Sequence, residues 1–145
     1  MAPVVQEEIL LGVDYGGKNT GLAFGRVGLA SPLKVINSND SNVVISEISR
    51  TTLENKVSKI IMGLPVDEEG RETNQSLEVR RFAKLLRIRL KKPVEFMNEF
   101  DSSQEAIAGA IRSGISREGR KTADHYSAAL ILKRYYNELQ ENLEK

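Results

Sequence analysis

One aspartate, Asp14, closes an apolar run and opens a glycine-rich turn in the stretch Ile9–Arg26, ILLGVDYGGKNTGLAFGR. The run before it (Ile9, Leu10, Leu11, Val13) and the run after the turn (Leu22–Phe24) are short and bounded by glycine, so they read as two strands of a hairpin. Asp14 then stands where the first strand leaves the sheet, a poor place for packing and a suitable one for a ligand or a metal. Asp14, Gly16 and Gly21 have the spacing Asp-x-Gly-x-x-x-x-Gly. Glycines at such positions let backbone amides approach a phosphate closely, because they lack Cβ and tolerate positive φ. An ordinary tight hairpin with one solvated aspartate carries the same pattern, and the segment by itself does not choose.

The elements that must position Asp14 follow from the rest of the chain. Its 145 residues are the length of one ordinary domain, expected to span 1–145. Hydrophobic residues at 40% and charged residues at 28% permit a core and argue against disorder. A formal net charge of +1 announces no global affinity for nucleic acid, so any such binding must come from a local patch. The absence of cysteine excludes disulfides, thiolate metal sites and cysteine nucleophiles, and one histidine excludes a multi-histidine zinc site. The first residues, MAPVVQEEILL, lack the pattern of a signal peptide, and no apolar run approaches the roughly 20 residues that span a bilayer. A soluble, cytoplasmic protein is expected.

Leu29–Ile36 reads as a third strand, with Pro32 marking an edge position or an irregular start. Val44, Ile45, Ile48 and Leu53 recur at helical spacing within Val43–Lys56. Val57–Met62 is a short β-branched strand running into Gly63-Leu64-Pro65. Thr73–Leu90 is the clearest helix, with Val79, Phe82, Ala83, Leu86 and Leu90 on its apolar stripe and Arg80, Lys84, Arg87 and Lys91 on another side. Pro93 forces extended chain, and Val94–Met97 reads as a fifth strand delivering Asn98 and Glu99. Ser102 and Glu105 form a capping box opening a helix to about Arg112, and Ser113–Arg120 is a basic loop. A last helix, Thr122–Leu139, would pack through Ala129, Leu132, Tyr136 and Leu139, with Asp124 in its first turn.

Short connections make strands 1–3 antiparallel, and helical crossovers make strands 4 and 5 parallel to strand 1. The expected fold is therefore α/β: a five-stranded mixed sheet, three antiparallel strands then two parallel ones, flanked by helices. Ligand sites in such sheets lie outside the carboxyl ends of the parallel strands, where Asp14 and Glu99 both fall.

Gly12-Val13-Asp14-Tyr15-Gly16-Gly17-Lys18, Gly63-Leu64-Pro65, Asn98-Glu99-Phe100-Asp101-Ser102-Ser103 and Lys121-Thr122-Ala123-Asp124 resemble, in order, the four motifs of the YqgF (RuvX-type) family. These are pre-16S rRNA nucleases, also described as Holliday-junction-resolvase-like proteins, with a ribonuclease H-like fold. The resemblance covers nearly the whole chain. It implies catalysis by three acids, Asp14, Glu99 and Asp124, which would also hold Mg²⁺ or Mn²⁺. Hard carboxylate oxygens suit these ions, and two such ions side by side can activate water and stabilise the leaving oxygen of a phosphodiester. The third motif departs from the family pattern: Asn98 replaces an acid and Phe100 replaces an arginine.

Lys18, Arg117, Arg120 and Lys121 are the candidate phosphate contacts, each weighed against a plain solvated charge, with Arg112 nearby in sequence. Asp101 reads first as an Asx-turn and second as a substitute for the charge missing at 98, and His125 reads first as a structural histidine and second as a proton shuttle beside a metal. The basic stripe of Thr73–Leu90 reads first as a solvated face and second as a track for a nucleic-acid backbone. Few aromatics are present and none is spaced as a base-stacking platform, which favours contacts to backbone and shape, as for structured RNA or branched DNA. The hairpin also resembles the first phosphate loop of actin-like and sugar-kinase ATPases, which close two such domains on nucleotide. A non-catalytic nucleic-acid-binding module is the other rival. A monomer fits RNA processing and a homodimer fits junction resolution.

Overall fold

The computed structural model describes residues 8–99 and 124–143, the latter with side chains from residue 126 on. The elements run β1 (Ile9–Tyr15), β2 (Asn19–Arg26), β3 (Leu29–Asn37), α1 (Ser41–Glu54), β4 (Lys59–Pro65), α2 (Asn74–Leu90), β5 (Val94–Glu99) and α3 (Asp124–Leu143). The expected capping box at Ser102, the helix after it and the loop Ser113–Arg120 lie outside the described residues.

The sheet order is β3-β2-β1-β4-β5. The pairs β1–β2 and β2–β3 are antiparallel, and β1–β4 and β4–β5 are parallel, as the connection lengths require. β1 is central and covered on both faces, which is why its sequence is a continuous apolar run rather than an alternation. Leu11 and Val13 join the core beneath α1 and α2, while Leu10 joins the core beneath α3.

β3 is an edge strand. Leu22 pairs with Lys34 and Ala23 with Pro32, so Leu33 is the extra residue of a bulge beside a proline that donates no ladder bond. The β2–β3 turn places two consecutive residues, Val27 (φ 53°) and Gly28 (φ 78°), in the left-handed region, as a two-residue type I′ hairpin demands.

Asp40 caps α1 by accepting the Asn42 N–H at 2.9 Å. Leu53 is 74% exposed, so the buried stripe of α1 ends in Thr51 and Thr52 instead. Thr73 and Ser76 cap α2 reciprocally: Thr73 Oγ1 accepts the Ser76 N–H at 3.2 Å and Ser76 Oγ accepts the Thr73 N–H at 2.7 Å.

The packing of α3 differs from the periodicity reading. Ala128, Ile131, Leu132 and Tyr135 are buried, Ala129 and Tyr136 lie at the margin, and Leu139 is exposed. The reason is the surface beneath. A Cβ on Gly12 would stand 2.7 Å from both the Ala128 carbonyl oxygen and Leu132 Cγ, and one on Gly25 would stand 2.8 Å from the Tyr136 hydroxyl. Glycines on neighbouring strands make a shallow trough, and the helix face that fits it is the one that packs.

Candidate active site at the carboxyl rim of the sheet

Side chains alternate between the faces of a strand, and this parity places the acids. Asp14 shares a face of β1 with Leu10 and Gly12, and Glu99 shares a face of β5 with Met97. Both acids therefore lie on the α3 side, at the carboxyl ends of two parallel strands. Between those strands runs β4. Val13 is in register with Met62 and Gly63 with Met97, so the residue β4 presents between the acids is Gly63.

Gly63 is the feature that periodicity passed over. The Glu99 carboxylate lies in the space where a Gly63 side chain would be: an ideal Cβ there would sit 2.8 Å from Glu99 Cδ and 2.6 Å from Ile131 Cδ1, with Oε2 closer still. Glu99 thus bends inward across β4 toward β1, beneath Ile131 of α3. Only 8% of it is exposed, and Ile131 is fully buried. A carboxylate is seldom buried without a charged or hydrogen-bonding partner. A glycine inside a strand signals close approach of another group, which was the available clue.

The direction of α3 brings its first residue toward the same rim. Along β1, Gly12 meets Ala128 and Leu132, while Gly25, paired with Leu10 further back, meets Leu132 and Tyr136. Each step toward the carboxyl end of β1 is thus a step toward the amino end of α3. Asp124 lies one helical turn, about 5.4 Å, before Ala128, and Asp14 lies two strand residues, about 6.7 Å, beyond Gly12. The amino end of α3, which Asp124 begins, therefore lies toward the carboxyl rim of the sheet. The side chains of Asp124 and His125 lie outside the described residues, and among the described residues no cluster of three acids or histidines forms a metal site.

Asn98 lies on the opposite face of β5 from Glu99, with Phe96. An acid at 98 would point away from the rim, so the departure there leaves the face with the acids intact. Phe100 and Asp101 lie outside the described residues.

The glycine loop differs in mechanism from expectation. The described glycines at positive φ are Gly28 and Gly70, neither of them in the loop after Asp14. Gly16 is required for space instead, since a Cβ would stand 2.5 Å from the Asn19 carbonyl oxygen. Lys18 is exposed at the loop tip, and its carbonyl accepts the Ser38 N–H at 3.0 Å, which ties the tip to the end of β3. Arg112, Arg117, Arg120 and Lys121 lie outside the described residues.

Two arginines of the α2 stripe are already committed. Arg80 pairs with Glu72 and lies 5.1 Å over the Phe96 ring, and Arg87 lies 5.7 Å over the same ring while donating to the Val94 carbonyl at 2.8 Å. They clamp β5 against α2 and do not form a free track for a phosphate backbone.

Residues 8–138 match the family model described as "RuvX: Holliday junction resolvase". The chain belongs to the RuvX family. Among its relatives, one from Aeromonas hydrophila is 33% identical over 132 residues, covering 89% of this chain and 94% of that protein. One from Mycoplasma mobile is 32% identical over 133 residues, covering 88% and 90%. Both are named "Putative pre-16S rRNA nuclease". Among solved structures, Thermus thermophilus RuvC in complex with a Holliday junction substrate superposes with a TM-score of 0.58 at 13% identity, over 92% of this chain and 96% of that one. The Fowlpox virus resolvase in complex with Holliday junction DNA superposes with a TM-score of 0.55 at 15% identity, over 90% and 98%. At such identities the likeness is one of fold: the RuvX-family chain has the ribonuclease H-like architecture that its motifs implied. Among the described residues no helix is long and apolar enough to cross a membrane.

Proposed function

We propose that this RuvX-family chain is a single-domain, divalent-metal-dependent nuclease that trims the 5′ end of pre-16S ribosomal RNA in the cytoplasm. The observation that carries the reading is the buried Glu99 carboxylate folded over Gly63 toward the strand bearing Asp14. The bare glycine lets the Glu99 carboxylate fold in over β4 on the face that also carries Asp14, and a site of carboxylate oxygens fits Mg²⁺ or Mn²⁺. Asp14, Glu99 and Asp124 would hold the metal, which supplies an activated water and stabilises the leaving oxygen of a phosphodiester. Asp14, nearest the centre of the sheet, would be the central one of these ligands. Ile131 closes the site from behind and keeps bulk water from the Glu99 carboxylate. Lys18, Arg117, Arg120 and Lys121 take the flanking phosphates of a structured RNA, and a monomer suffices for one cut.

The description of the matching family model favours a second reading, resolution of a branched DNA junction, for which two symmetric cuts would call for a homodimer. Purified protein incubated with single-stranded RNA, a structured ribosomal precursor and a four-way DNA junction, with Mg²⁺ or Mn²⁺, separates them. The expected result is cleavage of the precursor, abolished in Asp14→Asn. Symmetrical cutting of the junction alone would assign the chain to resolution. Binding without cutting in any arm would leave a non-catalytic nucleic-acid module.

A further inference from the structure

Asp14 and Tyr15 are consecutive at the end of β1, so they stand on opposite faces of the sheet at one rim. On the α1/α2 side the Tyr15 ring lies flat on Phe82, with centroids 3.9 Å apart and planes 11° from parallel. Phe82 takes one face of that ring and is itself buried, while Tyr15 stays partly exposed where it lines a cleft of about 370 Å³. Asn39, Ser41, Glu78 and Arg81 are further walls of the cleft.

The chemistry of these walls suits a nucleotide. A partly exposed aromatic ring anchored from behind offers a π surface of the kind on which bases stack. Arg81 makes no ion pair among the described residues, unlike its neighbour Arg80, so its guanidinium is available to an anion. Glu78, on the same cleft as Tyr15, can accept hydrogen bonds from the amino edge of a base.

We propose that this cleft is a nucleotide subsite, in which the substrate strand crosses the end of β1 and a base close to the scissile bond stacks on Tyr15 with its phosphate on Arg81. The subsite rests on the nuclease reading for its position relative to the cut, though not for its affinity. It supplies the stacking surface that the spacing of aromatics along the chain did not reveal, because Tyr15 and Phe82 come from β1 and α2.

The test uses an RNA substrate, a series of its variants with a single abasic site at each position around the cut, and the substitutions Tyr15→Leu, Tyr15→Phe and Arg81→Ala. The wild-type enzyme should show one position at which loss of the base raises KM about tenfold with kcat within about threefold. Tyr15→Leu should show that raised KM on intact RNA and no longer sense the abasic site, Tyr15→Phe should behave as wild type, and Arg81→Ala should raise KM without lowering the melting temperature. In parallel, Kd is measured for a fluorescent RNA of the same sequence in an Asp14→Asn background. Tyr15→Leu and Arg81→Ala should each weaken it about tenfold there. An abasic profile flat across all positions, or unchanged Kd in both variants, overturns the subsite. Tyr15-dependent binding with no cleavage by any protein would instead overturn the nuclease reading and leave the subsite standing.

Discussion

Gly63→Ala is the sharpest perturbation the structure offers, since it adds one methyl group to a space that two side chains already fill. The new Cβ would stand 2.8 Å from Glu99 Cδ and 2.6 Å from Ile131 Cδ1, against an ordinary carbon contact of about 3.5–4.0 Å. Each must retreat by about 1 Å. Ile131 has little room, being fully buried on a helix whose Ala128 carbonyl already sits against Gly12. The Glu99 carboxylate is the end of a flexible side chain and will move first. Overpacking of this kind costs about 1–3 kcal/mol, or a fall in melting temperature of about 3–9 °C for a domain of this size. On the proposed role of Glu99 as a metal ligand, displacing its carboxylate by about 1 Å should lower kcat about a hundredfold with little change in KM. The assay is cleavage of the precursor RNA alongside thermal melting, with Gly25→Ala as the control. A Cβ at Gly25 meets the Tyr136 hydroxyl at 2.8 Å, beneath the same helix but away from the rim. That variant should lose stability and keep its rate at a temperature where it is folded. The reasoning fails if Gly63→Ala cuts within about threefold of wild type while Glu99→Gln is inert, or if both alanine variants lose activity only in proportion to stability.

Three further outcomes are expected. Val27, 68% exposed at φ 53°, pays the strain of a β-branched residue in a left-handed turn, so Val27→Asn should raise the melting temperature by a few degrees, about 1 kcal/mol, in a calorimetric scan. Asp67 accepts the Arg71 N–H at 2.8 Å and the Glu69 N–H at 2.9 Å, and the Arg71 amide above all holds its pKa below the usual aspartate value. Its contribution is therefore present above the unfolded value of about 3.9 and is lost as pH falls through the lower folded one. The stability gap between wild type and Asp67→Ala should close in that acid window and be constant at neutral pH. Adding Mg²⁺ at a hundred times its Kd to EDTA-treated protein should raise stability by about 2.7 kcal/mol, and Asp14→Asn should abolish the rise; equal melting curves with and without the ion would remove the metal from the proposal.

Much of the fold was legible along the chain because its signals are local. Apolar runs bounded by glycine marked the strands, the 3.6-residue stripe marked α2, and Pro32 marked the edge on which β3 lies with its bulge. Short connections set antiparallel neighbours and long ones set parallel neighbours, which was enough to bring Asp14 and Glu99 to one end of the sheet. Period-2 alternation even fixes the face each acid takes once the register is known.

What the residue order could not express was which groups from distant segments share a volume. Two stripes on α3 are about equally apolar, and the trough of Gly12 and Gly25 selected between them. Arg80 and Arg87 looked like a free basic row until Phe96, from another strand, was found beneath both. Gly63 was visible only as part of a Gly-Leu-Pro motif; its meaning came from Glu99, 36 positions later, folding into the space it leaves. Side-chain type and local period are written in sequence, whereas the space between strands depends on register and helix docking, which exist only once the sheet has closed under its helices.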